Sequence, residues 1–253
     1  MLFIHGAMGD YRSWAPQWEA FTAKFDCIVY SRRYSFPNPN ILKTRDHNAL
    51  VDAEDVEQLM DALGVQKAVL VGSSYGGFTA LAAALRMPER VQAVVSVEAP
   101  MMRYALSSDS GREIARAFLD RSARPAREAF EQGDDEQGLR ILTGGIVGKA
   151  PKDVPDEVME RRMQNLQAAR SLALSDDEFP LLAPDALAAL KMPVLLMSGA
   201  ETAPVHAAIF AEVNKAMPQA RVRLVEGSGH SVSQQNPKVF NQVVEQFLLD
   251  HGL

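Results

Sequence analysis

The residues with the strongest chemical signature are Gly72-Ser73-Ser74-Tyr75-Gly76, set between the apolar run Ala68–Val71 and a helical pattern that opens at Tyr75. This is G-x-S-x-G spacing in a strand–turn–helix context, where the central serine sits on a strained bend and its neighbours two residues away must be small. Ser74 has Gly72 and Gly76 at those places, whereas Ser73 has Val71 and Tyr75, so the spacing selects Ser74. A serine hydroxyl is a weak nucleophile at neutral pH and needs an adjacent base. His230, in Glu226-Gly227-Ser228-Gly229-His230-Ser231, falls in a loop just after the last strand pattern. A parallel sheet collects such loops at the carboxyl ends of its strands, so His230 is expected on the same rim as Ser74. His5 ends the first strand, His47 opens a helix, His206 lies early in another, and His251 is close to the last residue. The competing reading is a glycine-rich turn that merely ends a strand, with a solvated loop histidine.

The elements that must position these groups alternate between short apolar runs and longer helical patterns, the rhythm of a mostly parallel α/β sheet covered on both faces. Strands are expected at Leu2–Ile4, Cys27–Tyr30, Ala68–Val71, Val91–Val97, Val194–Met197 and Arg221–Val225. Helices are expected at Trp14–Phe25, His47–Leu63, Tyr75–Met87, Val205–Met217 and Pro237–Leu249. Residues 101–190 carry no convincing strand and several breakers, among them Gly144-Gly145, Pro151, Pro155 and Pro180. They read as a helical insertion into an α/β core made of residues 1–100 and 191–253. A linker to a second domain is the weaker alternative, because the α/β rhythm resumes afterwards.

Composition narrows the function. The 253 residues are 47% hydrophobic and 23% charged, as in an ordinary globular domain with a large core. A net charge of −6 argues against a nucleic-acid or anionic-membrane surface, which needs a basic patch. The single cysteine, Cys27, allows neither an internal disulfide nor a zinc knuckle. No apolar run reaches the roughly 18 residues of a membrane span. The start lacks a basic segment and a small-residue cleavage site, so a cytoplasmic location is expected. No histidine–carboxylate spacing suggests a metal cluster. The Gly72–Gly77 turn lacks the lysine of a phosphate-binding loop, so no cofactor is expected either.

Five stretches together resemble the α/β-hydrolase fold superfamily of the serine hydrolase type. They are Phe3–Gly9, Gly72–Gly77, Ser96–Pro100, Met197–Gly199 and Gly227–His230, in the family's order from the first residue to the last helix. The resemblance implies a helical cap where residues 101–190 lie. It also implies an oxyanion hole from the backbone N–H groups of Ala7 and Tyr75, with His5 bracing the loop rather than moving protons. Ordinary members place the triad aspartate three residues after the glycine of Met197-Ser198-Gly199, which here is Thr202; Glu201 stands one residue earlier. Related enzymes place the acid at the end of the strand after the nucleophile helix, where this chain has Glu98. Glu98 ranks ahead of Glu201, with a site served by neither as the remaining reading. Tyr30-Ser31-Arg32-Arg33-Tyr34 stands where the family usually has Asp-x-Arg-Gly. Most members also carry a two-stranded hairpin ahead of the His-Gly strand, whereas four residues precede His5 here: either the hairpin is lost or the chain begins late. Its loss would expose a sheet edge, with lower stability or edge-mediated association expected.

The resemblance implies a serine hydrolase cleaving a small, fairly apolar ester through an acyl-enzyme on Ser74, with the triad acid steadying His230. Cofactor-free oxygenation or perhydrolysis uses the same three residues, and a non-catalytic small-ligand receptor keeps the same pocket. Dehalogenase and epoxide hydrolase relatives use an aspartate where Ser74 stands. Met8, Phe36, Met101, Met102 and Met163 are candidate pocket residues, each competing with an ordinary core role, and Asn165 is a candidate donor competing with a solvated helix face. The expected partner is a small-molecule substrate, with a homo-oligomer possible.

Overall fold

The strands β1 (Leu2–Ile4), β2 (Ile28–Val29), β3 (Ala68–Ser73), β4 (Val91–Val97), β5 (Val194–Gly199) and β6 (Arg221–Val225) pair in a computed structural model that describes residues 1–253. All neighbours are parallel, and the order across the sheet is β2-β1-β3-β4-β5-β6. This is the α/β-hydrolase type of sheet expected from the sequence.

Helices α1 (Ala15–Thr22), α2 (Ala49–Ala62) and α3 (Tyr75–Arg86) precede β4. Between β4 and β5 the chain is helical throughout its regular structure: α4 (Met102–Ser107), α5 (Asp109–Phe118), α6 (Arg124–Glu131), α7 (Asp135–Val147), α8 (Asp156–Gln164), α9 (Leu166–Leu174) and α10 (Pro184–Ala188). A π-helical turn at Leu119–Ala123 joins α5 to α6. Then come α11 (Pro204–Ala216), α12 (Val232–Gln235) and α13 (Pro237–Leu249). No helix is long and apolar enough to cross a membrane.

The period-2 alternation of side chains sends successive strand residues to opposite faces of the sheet. Leu2, Ile4 and Leu70 join one core with residues of α2, α3 and the helices after β4. Phe3, Val69 and Val71 join the other, against Trp14, Phe21, Phe240 and Phe247 around α1 and α13. Central strands buried on both faces need continuous apolar sequence, which is why these runs were legible. Several boundaries shift by one to three residues, and two differences go further. The first helix begins as a 3-10 turn at Tyr11–Trp14, because the Asp10 side chain accepts the Arg12 N–H and starts it early. The one-turn helix α12, directly after His230, was too short to show a helical period.

β1 and β3 are neighbours although β2 lies between them in the chain, so the loops after β1 and β3 leave the sheet at the point where its strand order reverses. Crevices at such points are where open parallel sheets bind ligands.

Candidate active site

Ser74 occupies the bend between β3 and α3 with φ 53° and ψ −118°, in a region that L-residues rarely adopt. Close packing imposes the bend. A Cβ on Gly72 would lie 2.0 Å from the Gly76 carbonyl oxygen, and one on Gly76 would lie 2.0 Å from that of Ile4. Only glycine lets α3 start this close to β1 and β3, and Ser74 is held at the carboxyl edge of the sheet as a result. Strain of this kind costs about 1–3 kcal/mol and persists only where the surroundings over-determine it.

Glu98 ends β4 in a second left-handed conformation, φ 46°. Its Oε2 lies 2.6 Å from Nδ1 of His230. The carboxylate also accepts the Ser198 hydroxyl at 2.7 Å, the Gly199 N–H at 2.9 Å and the Thr202 hydroxyl at 2.8 Å. Burial alone would raise its pKa, but the hydrogen bond and charge of His230, with these donors, overcome burial and hold it at about 2. An ionised Glu98 fixes the His230 proton on Nδ1 and leaves Nε2 as the basic nitrogen. Glu201, the second-ranked acid, is exposed and makes no hydrogen bond to His230. Thr202, at the other position that the resemblance offered for the acid, contributes a hydroxyl to the same carboxylate instead.

The loop after β1 is braced from within. His5 is fully buried, with Nδ1 2.8 Å from the Gly6 carbonyl and Nε2 accepting the Arg32 N–H at 3.0 Å. Burial first, then the nearby Arg32 charge, lowers its pKa to about 3, so the ring is neutral and cannot act as a cationic acid. The Arg32 side chain donates to the Ala7 carbonyl at 2.9 Å and lies 3.6 Å above the Tyr75 ring. Arg32 thereby ties together the two residues whose N–H groups are the candidate oxyanion donors. Its charge is balanced by Asp52 of α2 at 3.3 Å, which also accepts the Tyr75 hydroxyl and contacts His47. The Tyr30–Tyr34 stretch thus has a definite structural place, which its sequence alone did not disclose.

Two cavities meet at Ser74. One, about 60 Å³, is polar and lined by Gly6, Ala7, Ser74, Arg162, His230 and Ser231 among others. The other, about 200 Å³, is apolar and lined by Ser74, Met102, Phe118, Leu142, Ile146, Phe179 and Ile209 among others. Ser74 and His230 share the polar cavity, although no hydrogen bond joins their side chains in this structure. Of the candidate pocket residues, Met102 lines the apolar cavity and Met8 the polar one. Phe36, Met101 and Met163 line neither and are corrections. Phe36 lies at the surface beneath the Arg12 guanidinium, Met101 is packed in the core, and Met163 is exposed on α8. Asn165 is neither donor to a ligand nor solvated: fully buried, it donates to Asp10 and accepts the Phe36 N–H. Its burial depends on contacts between segments far apart in the chain, which helical periodicity cannot report.

Two site residues carried no sequence signal. His206 of α11 stacks on His230, with ring centroids 4.0 Å apart and an interplanar angle of 23°. Its Nε2 is 2.9 Å from the Ile146 carbonyl, so Nε2 carries the proton. Burial, then His230, lowers its pKa to about 3. Glu98, His206 and His230 bring ligand-type atoms within 4.8 Å, but the arrangement suits an ion poorly. Lone pairs of stacked rings run side by side instead of converging, and Nε2 of His206 is already committed. The second is Glu178, which lines the apolar cavity at 8% exposure with neither carboxyl oxygen hydrogen-bonded. Tyr75 and Ser175 lie close, but each hydroxyl has one proton, donated to Asp52 and to the His47 carbonyl respectively. Burial raises the Glu178 pKa to about 7.

The alpha/beta hydrolase fold family matches over residues 1–237. Carboxylesterase YbfK of Bacillus subtilis is 26% identical, over 98% of this chain and 79% of its own. Its crystal structure, reported as carboxylesterase CesB (YbfK), superposes with a TM-score of 0.69 at 24% identity, covering 98% of this chain and 82% of that one. A thermophilic esterase from Thermogutta terrifontis superposes with a TM-score of 0.73 at 22% identity, covering 99% and 89%. At these identities the solved structures speak to the fold, and the glycine-tight bend at Ser74 lies well inside the matched residues. The chain belongs to the alpha/beta hydrolase fold family.

Proposed function

We propose that the protein is a serine hydrolase that cleaves a small carboxylic ester through an acyl-enzyme on Ser74. The observation that carries this reading is the 2.6 Å contact between Glu98 and His230, with His230 and the strained Ser74 lining one cavity. His230 Nε2 takes the Ser74 proton as Oγ bonds to the ester carbon, and the carbonyl electron pair moves onto oxygen. The Ala7 and Tyr75 N–H groups receive that oxyanion; donors so placed contribute on the order of 10²–10³ in rate. Collapse breaks the bond to the alcohol oxygen, which takes the proton from His230. Water then repeats the sequence, with His230 as base, and frees the acid and Ser74. The apolar cavity of about 200 Å³ accommodates the hydrophobic part of the substrate; at roughly 30 Å³ per small group, that is about six or seven methylene-sized units. The carboxylesterase activity named for the Bacillus subtilis relative agrees with this reading.

The test is a fluorophosphonate probe with a panel of short-chain p-nitrophenyl esters. Rapid labelling of the wild type, with label and turnover both lost in a folded Ser74→Ala protein, is the expected result. Wild-type turnover retained by Ser74→Ala, or a folded wild type that neither labels nor turns over any ester, rejects it; the latter outcome favours a ligand receptor.

A further inference from the structure

The mechanism above leaves one permanent charge at the site unused. Arg162 of α8 lines the small polar cavity with Ser74 and His230, and also the wider cleft of about 650 Å³ outside it. It is half-buried, and its guanidinium makes one hydrogen bond within the protein, from Nη1 to the Met8 carbonyl at 2.7 Å. No ion pair engages it. The nearby acid, Asp10, is saturated: Arg12 holds both its oxygens, at 2.8 and 2.7 Å, Asn165 donates at 2.9 Å, and Arg161 approaches to 3.7 Å. Burial, and second the charge of Arg161, lower the Arg162 pKa to about 10, with Asp10 offsetting them only in part. The group remains a cation at neutral pH, but one without a counter-charge.

A half-buried cation is costly unless something pairs with it. The wider cleft also carries Lys149, Arg161, Glu157 and Glu201, all exposed and therefore screened by solvent. In the polar cavity Arg162 is the one lining residue with a permanent charge. With Nη1 on Met8, the Nε–Nη2 edge is left without a protein partner. That edge presents two parallel N–H groups, the fork that matches a carboxylate. The cavity of about 60 Å³ holds roughly two water-sized groups, enough for a carboxylate.

We propose that Arg162 binds a carboxylate carried by the substrate, so that the natural ester is amphipathic, with its apolar part in the cavity beside Met102 and an anionic group on the polar side of Ser74. This deepens the ester-hydrolase reading and rests on it. The carboxylate belongs either to the acyl half, as in the monoester of a dicarboxylic acid, or to the alcohol half, as in an acylated hydroxy acid.

Two matched pairs distinguish these sources: monobutyl succinate against butyl succinamate, and 2-(butanoyloxy)acetate against its acetamide. In the wild type, kcat/KM for the carboxylate should exceed that for its carboxamide partner by about tenfold or more in one pair, carried mainly by KM. Arg162→Gln should bring that ratio toward one, and Arg162→Lys should retain part of it. Wild-type ratios near one in both pairs, or a ratio untouched by Arg162→Gln, overturn the proposal; the latter would leave Arg162 only the task of holding the Met8 carbonyl. Calorimetric binding of the same four compounds to Ser74→Ala separates this from the parent reading. Tighter binding of the anion that disappears on adding Arg162→Gln supports the site even if no ester is turned over. Equal binding of anion and amide rejects it whatever the activity.

Discussion

His230 Nδ1 and Glu98 Oε2 lie 2.6 Å apart although 132 residues separate them in the chain. The same carboxylate accepts the Thr202 hydroxyl, so the two positions that the resemblance offered for a triad acid converge on one point in space. An acid at the end of β4 and an acid after β5 are alternatives because the strands are neighbours, with Val97 opposite Met197. Here the β4 end supplies the charge and the β5 loop supplies a donor to it.

Glu98→Gln should keep the shape and lose the function. Its amide offers Nδ1 of His230 no carboxylate, so the proton is no longer held there, and kcat on a p-nitrophenyl ester at pH 7 should fall by about 10³–10⁴. The stability change has a definite sign. The Glu98 pKa lies at about 2 in the fold against 4.5 ordinarily, so its stabilisation is complete above pH 4.5 and is lost as the pH falls toward 2. Melting temperatures across that window should decline less steeply in Glu98→Gln than in the wild type. A variant with full activity would remove Glu98 from the triad.

His206 packs flat against His230, the proposed base. A neutral ring stacked on His230 limits its rotation without adding a second positive charge when His230 is protonated. His206→Phe preserves a ring but loses the bond to Ile146, whereas His206→Ala loses both. The expected order of kcat is wild type, then Phe, then Ala, with the alanine protein down by about tenfold. Steady-state kinetics that show Phe and Ala equally impaired would assign the effect to the Ile146 bond instead of the stack.

Glu178 is a stability liability with a pH signature. Its folded pKa of about 7 lies above the ordinary 4.5, so the folded state binds more protons between those values and stability should decline as pH rises from 4.5 through 7, then level off. Full ionisation costs on the order of 3 kcal/mol. Glu178→Gln should flatten the urea-unfolding free energy over that range and be more stable than the wild type at pH 8. A Gln protein less stable than the wild type at pH 8 would show that a partner satisfies the carboxylate.

The fold and the bend at Ser74 were legible because both are local. Parallel strands buried on two faces must be continuously apolar, so the runs at Ala68–Val71 and Val91–Val97 stood out without any knowledge of their partners. Ser74 was marked by Gly72 and Gly76, whose missing side chains are demanded by the backbone within five residues and by β1 alongside. Phe36, Met101 and Met163 show the limit of that kind of reading. Their types suit a pocket, but which way each faces depends on how the helices between β4 and β5 fold back over the sheet edge.

The amino-acid order alone determined the sheet and the bend, and set a serine and a loop histidine on one rim, since these follow from periodicity and from steric demands between near neighbours. Only the tertiary structure decided which acid reaches His230, that His206 lies flat against it, that Arg162 has no counter-charge and that the Glu178 carboxyl has no hydrogen bond. Those facts depend on distances between residues remote in sequence and on the low-dielectric surroundings that folding creates, and neither is written in any single stretch of the chain.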